Sequence, residues 1–242
     1  MPEVTLFQNE AGAWATVDWQ KPSAVLVSTA TIIQAGDGLM PVRELAGDQD
    51  LAELAMRYAK VEEKLWYQAA MLLQAREAVQ RAVGSALCGE PLTGEALADQ
   101  LMQKGVKSVP VRSQKHGAVA TVVSRPGGKT GASTVKEYRT LVFVPAIAQQ
   151  HYFQFQEGGA ELAGEVWIGD DLADALLEAY QSCRKLQQET ERMRQQLLGA
   201  LQDGVYPLLA GDLYGVLIVN TVPGHIRSEY SYPASVQVRV SK

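Results

Sequence analysis

From Leu51 onward the apolar residues fall at positions 51, 54, 58, 61, 65, 72, 75, 79 and 82, in alternating steps of three and four. No other feature constrains the chain more, because at about 3.6 residues per turn only an α-helix returns side chains to one face at that interval. Gln68 is the one polar residue in the stripe, and its amide is expected to find a partner or reach water and so fix the helix register. Met56, Ala59, Trp66, Ala69, Leu73 and Val83 widen the stripe beyond a two-stranded seam, which predicts packing against more than one neighbour.

A second run of the same kind carries Leu172, Leu176, Ala179, Cys183, Leu186, Thr190, Met193, Leu197 and Ala200. Asp170 stands at its N-cap position, Gly204 where a C′ glycine belongs, and Pro207 beyond. At 1.5 Å per residue each helix is roughly 50 Å long. The expected fold class is α+β, with helices over about 50–86 and 170–203 closed into an antiparallel, coiled-coil-like hairpin. Alternatively the two lie as ordinary long helices across a sheet, or pair between chains.

Strand chemistry flanks the helices. Residues 3–35 are rich in β-branched and aromatic types, as are 213–222, 226–232 and 236–240. If the helices are antiparallel, the two ends meet. The expected domains are a β base from 1–47 and 204–242, the paired helices at 48–87 and 170–203, and a small inserted α+β head at 88–169. The head reads as a helix at 95–102 with strands at 108–112, 118–124, 138–144 and 152–156. A flexible tip at 125–134 holds Gly127, Gly128 and Gly131.

Charge singles out that head. Lys104, Lys107, Arg112, Lys115, Arg125, Lys129, Lys136 and Arg139 face the single acid Glu137 between 104 and 139, a net of +7 in a chain whose total is −5, leaving −12 on the other 206 residues. A basic segment within an acidic chain is the footprint of a local phosphate-binding surface. The eight cations are therefore the candidate nucleic-acid contacts, with hydroxyls of Thr130, Ser133 and Thr134 adding hydrogen bonds and Tyr138 a stacking surface. The competing expectation is a solvated hairpin whose charges pair with acidic helix faces.

Motifs of chemistry are missing. Gly128-Lys129-Thr130 lacks the P-loop glycine five positions earlier, where Val123 stands. A helix-turn-helix starting at 95 meets Pro110 within a β-branched run instead of a recognition helix; a winged-helix variant with the basic hairpin as the wing stays open, though it lacks a clear recognition helix. His116, His151 and His225 are dispersed, and no Gly-x-Ser-x-Gly elbow occurs, so no catalytic residue, metal ligand or cofactor site is assigned. Cys88 and Cys183 suit a reducing compartment, and no run of about 18 apolar residues occurs, so a cytoplasmic, non-membrane protein is expected. The leading functional expectation is a non-enzymatic protein contacting DNA or RNA through the basic head. The second is an assembly or adaptor protein, or a homo-oligomer, built through the long helices. The third is an enzyme with a non-contiguous site.

Overall fold

The computed structural model describes residues 4–8, 14–17, 34, 35, 38, 39, 43, 45, 48–146, 151–155, 159–210 and 212–241. In chain order the elements are β1 (Val4–Gln8), β2 (Trp14–Val17), β3 (Gln34–Ala35), β4 (Gly38–Leu39), α1 (Gln49–Cys88), α2 (Gly94–Gln103), β5 (Ser108–Ser113), β6 (Gly117–Arg125), β7 (Gly128–Thr130), β8 (Ser133–Val135) and β9 (Tyr138–Pro145). They continue with β10 (Gly159–Leu162), β11 (Glu165–Ile168), α3 (Asp170–Ala200), β12 (Gly204–Ala210), β13 (Asp212–Val222), β14 (His225–Arg227), β15 (Tyr230–Tyr232) and β16 (Ser235–Val240). The chain divides into two compact units. The first takes described residues of 1–64, 134–150 and 186–225, and the second those of 65–133, 151–185 and 226–242.

In the second unit a five-stranded sheet runs β10-β11-β5-β6-β16, antiparallel at every step except the parallel pair β11–β5. Val109 and Val111 of β5, Val122 of β6, Val166 and Ile168 of β11 and Val238 of β16 are buried in one core. That core also takes Leu72, Ala75, Val79 and Ala82 of α1, Leu97 and Leu101 of α2, and Leu172, Leu176, Ala179 and Cys183 of α3. Burying a side chain of Val or Leu size stabilises by about 1.5–3 kcal/mol, so the helices are held chiefly through this shared core. Pro110 interrupts nothing on the β11 side of β5, because that parallel pairing covers only Val111 and Arg112.

In the first unit the sheet order is β12-β13-β9, antiparallel throughout. Val216, Leu217, Ile218 and Val219 of β13 are all buried, so both faces of the central strand are covered. Ala55, Tyr58, Ala59 and Val61 of α1 are buried, as are Thr190, Met193 and Leu197 of α3. Pro207 sits in β12, the edge strand where a missing ladder donor is tolerated. β1 pairs with β2, and β3 with β4.

The expected fold class is corrected. The chain is not a coiled-coil-like hairpin of two matched helices over about 50–86 and 170–203 with a β base at one end and a head at the other. One helix is long, α1 at 40 residues, α3 has 31, and sixteen strands in six sheets lie among the described residues. The apolar stripes close on sheets: in the second unit the α1 and α3 stripe residues share their core with β5, β6, β11 and β16. Among the described residues β1 pairs only with β2, while β16 joins the sheet of β5 and β6. The middle segment is not a separate head either, because β9 joins β13. The strands expected at 24–33 lie outside the described residues. Residues 151–155 are irregular where a strand was expected, and β10, β11 and β12 were not expected at all.

Candidate nucleic-acid interface

The eight basic residues divide between the units, six in the second and Lys136 and Arg139 in the first. They also divide by what surrounds them. Arg112 Nε lies 2.6 Å from Glu165 Oε2, and Lys115 Nζ lies 2.7 Å from Asp174 Oδ2. Asp174 is also 2.5 Å from His116 Nε2, and its hydrogen bonds with Lys115 first and His116 second hold its carboxyl below the usual range. Arg139 donates through Nη1 to the Leu198 carbonyl (2.6 Å) and through Nη2 to the Leu201 carbonyl (2.7 Å), and it pairs with Asp203 at 3.1 Å. These three cations are engaged in holding their own units together.

Lys104, Lys107, Arg125, Lys129 and Lys136 are exposed and have no carboxylate partner among the described residues. Four of these lie in the second unit, and the fold draws three of them to one place. Lys104 ends α2, its N–H closing on the Gln100 carbonyl at 3.1 Å. Three residues on, the Lys107 carbonyl accepts from the Ser124 N–H at 3.1 Å, and the Ser124 hydroxyl donates to the Val106 carbonyl at 3.0 Å. Arg125 follows Ser124 at the end of β6, opposite Ser235 of β16. Lys104, Lys107 and Arg125 therefore stand near the open end of the β5–β6 hairpin, with Arg125 lining a cleft together with Glu77, Gln80 and Ser235.

Lys129 lies just beyond, on β7. The segment 125–134 was expected to be a flexible tip; instead Gly128, Lys129 and Thr130 pair in register with Tyr232, Ser231 and Tyr230 of β15. The Thr130 hydroxyl adds a hydrogen bond to the Tyr230 carbonyl at 3.3 Å. This ribbon is exposed along all of β15, where Tyr230 and Tyr232 retain 51% and 44% of their surface in solvent. Sequence reasoning passed over these two tyrosines. The Tyr-Ser-Tyr alternation before Pro233 was the available signal, since period-two spacing puts both rings on one face of a strand.

A second polar cluster lies in the first unit. Tyr58 is fully buried beside the Arg194 guanidinium; burial first, and the nearby Glu62 second, push its pKa up to about 12 against the pull of Arg194. Burial likewise raises the Glu62 carboxyl, against the pull of the Arg194 guanidinium, and Glu62 Oε2 is buried without a partner. Nearby, the Tyr214 hydroxyl donates to Glu63. Among the described residues no group of three His, Cys, Asp or Glu is placed to hold a metal ion, and no helix is long and apolar enough to cross a membrane.

Comparison with protein-family models, with curated proteins and with solved structures gives no match.

Proposed function

We propose that the chain is a non-enzymatic nucleic-acid-binding protein whose second unit grips the phosphate backbone through Lys104, Lys107, Arg125 and Lys129. The observation that supports it best is the gathering of unpaired cations at the open end of the β5–β6 hairpin and on the adjoining ribbon. An isolated exposed lysine is ordinary. Four without carboxylate partners, in a chain of net charge −5, form a local field opposite in sign to the whole. Three of the four are lysines, point charges on flexible stems suited to phosphate oxygens, so binding is expected to depend little on sequence.

Fluorescence anisotropy with labelled oligonucleotides over a series of salt concentrations tests the proposal. Affinity should fall linearly with salt on logarithmic axes, with a slope of about −0.7 to −0.9 per phosphate neutralised. Replacing Lys104, Lys107, Arg125 and Lys129 by alanine should flatten that slope. Replacing Lys115, whose charge is already matched by Asp174, should change it little. A protein that binds no oligonucleotide at low salt would overturn the proposal and leave the long helices as a protein-assembly surface.

A further inference from the structure

We infer that the nucleic acid taken at this surface is single-stranded, with Tyr230 and Tyr232 of β15 as the platform on which its bases stack; the inference rests on the phosphate-binding role proposed above. Two residues apart on one strand, the rings project from the same face of the β7–β15 ribbon, with centroids 6.4 Å apart and planes inclined by 58°. Their exposure leaves ring surface bare to solvent.

The residues across the ribbon match the rings. Gly128 faces Tyr232, and a Cβ on Gly128 would lie 2.6 Å from the Tyr232 hydroxyl oxygen and 2.8 Å from its Cζ. The Tyr232 ring thus lies across β7 where only glycine admits it. One side of the ring is backed by backbone and the other is left to solvent, so little rotamer freedom remains to be lost when a base arrives. The ladder is interrupted between Arg125–Ser235 and Gly128–Tyr232, where Pro126 and Pro233 stand and neither has an N–H to donate.

Stacked duplex bases cover one another's faces and offer such rings nothing to stack on. A single strand can splay successive bases on to two inclined rings. Lys129, paired across the ribbon with Ser231, stands on the opposite face from the tyrosines. The backbone therefore passes over the ribbon's edge, with phosphates toward Lys129 and Arg125 and bases turned on to Tyr230 and Tyr232. Every base has a π-face, so this mode too tolerates any sequence.

The full chain is titrated into a labelled oligo-dT 20-mer and a labelled 20-base-pair duplex at matched salt. The wild type should prefer the single strand. Tyr230→Ala and Tyr232→Ala should each weaken oligo-dT binding by about 5- to 100-fold while leaving duplex binding and the oligo-dT salt slope unchanged. The corresponding Phe variants should bind as the wild type does. Thermal melting of Tyr230→Ala should stay near the wild type, since half of that side chain is exposed, and Tyr230→Ala is therefore the variant that separates stacking from ribbon packing. Undiminished oligo-dT binding by the Ala variants, or a preference for duplex, overturns the stacking inference; if the lysine and arginine variants still lose affinity, phosphate binding survives it. No binding of either oligonucleotide removes both.

Discussion

Gly84 shows how far a single residue can depart from its local rule. Glycine within a helix is ordinarily worse than alanine by about 0.5–1 kcal/mol, yet Gly84 lies inside α1, four residues from its end. The chain leaving the helix doubles back over it, so that a Cβ at position 84 would meet the Leu92 nitrogen at 2.6 Å and the Glu90 carbonyl oxygen at 2.7 Å, both backbone atoms. Gly84→Ala is therefore expected to destabilise by about 1–3 kcal/mol, read from the shift of a chemical denaturation midpoint. A gain in stability would show that the turn at 89–92 yields freely. Glu62 makes a pH-dependent case. Its folded-state carboxyl is raised above the ordinary 4.5, chiefly by burial, so the folded chain holds that proton more tightly than the unfolded chain does. The resulting stabilisation is complete below about pH 4.5 and fades as pH rises through the folded value. Glu62→Gln should thus melt higher than the wild type at pH 7, with the difference closing on acidification; equal separation at all pH values would show that ionisation is not involved. Gln68 Oε1 is buried with no side-chain or backbone partner among the described residues. Its position in the stripe was plain in the sequence, but a partner's presence depends on what packs across from it, which spacing does not specify.

Between residues and units, the elements separate what periodicity reveals from what it conceals. Of the α1 stripe, Tyr58, Val61, Leu72, Ala75, Val79 and Ala82 are buried, and of the α3 stripe Leu172, Leu176, Ala179, Cys183, Thr190, Met193 and Leu197. A helical period states which face is covered and is silent on whether a helix or a sheet covers it; that is why a coiled-coil hairpin was expected from a stripe that packs on strands. Of the residues that widen the stripe, Ala59 and Val83 are buried, whereas Leu73 is 58% exposed and covers nothing. The same silence applies to cations, since eight basic residues look alike in the sequence. Arg139 is the clearest case of one that serves structure: its guanidinium spans the carbonyls of Leu198 and Leu201 at the C-terminal end of α3, groups with no partner inside the helix, and joins them to Asp203. Burial would raise the Asp203 carboxyl, but the Thr221 N–H and Arg139 outweigh it and hold it low. Arg139→Ala is expected to cost about 1–2 kcal/mol of stability, and Arg139→Lys should recover little of it, because one ammonium lacks the fork that reaches two carbonyls and a carboxylate. Thermal melts of the two variants check this, and full rescue by lysine would reduce the contact to simple charge. Lys129→Ala, by contrast, should leave the melt unmoved.

At the scale of the whole molecule, the chain crosses between its two units at 64/65, 133/134, 150/151, 185/186 and 225/226. Each core draws on parts of both α1 and α3 together with strands from distant stretches of sequence. Splitting the chain after residue 133 should therefore leave neither piece with a cooperative melt by circular dichroism, since each lacks strands or helix turns that its buried residues require. A sigmoidal transition from either piece alone would contradict this. The interleaving also bears on how the protein is made. α1 is synthesised early, but the buried face of its second half is closed in part by Val238, about 150 residues after Cys88. At about 5–20 residues per second, the ribosome takes on the order of ten seconds or more to deliver that strand. Throughout that interval the sheet that covers the stripe lacks its β16 strand, so this fold places a demand for chaperone protection during translation, before the second unit can close.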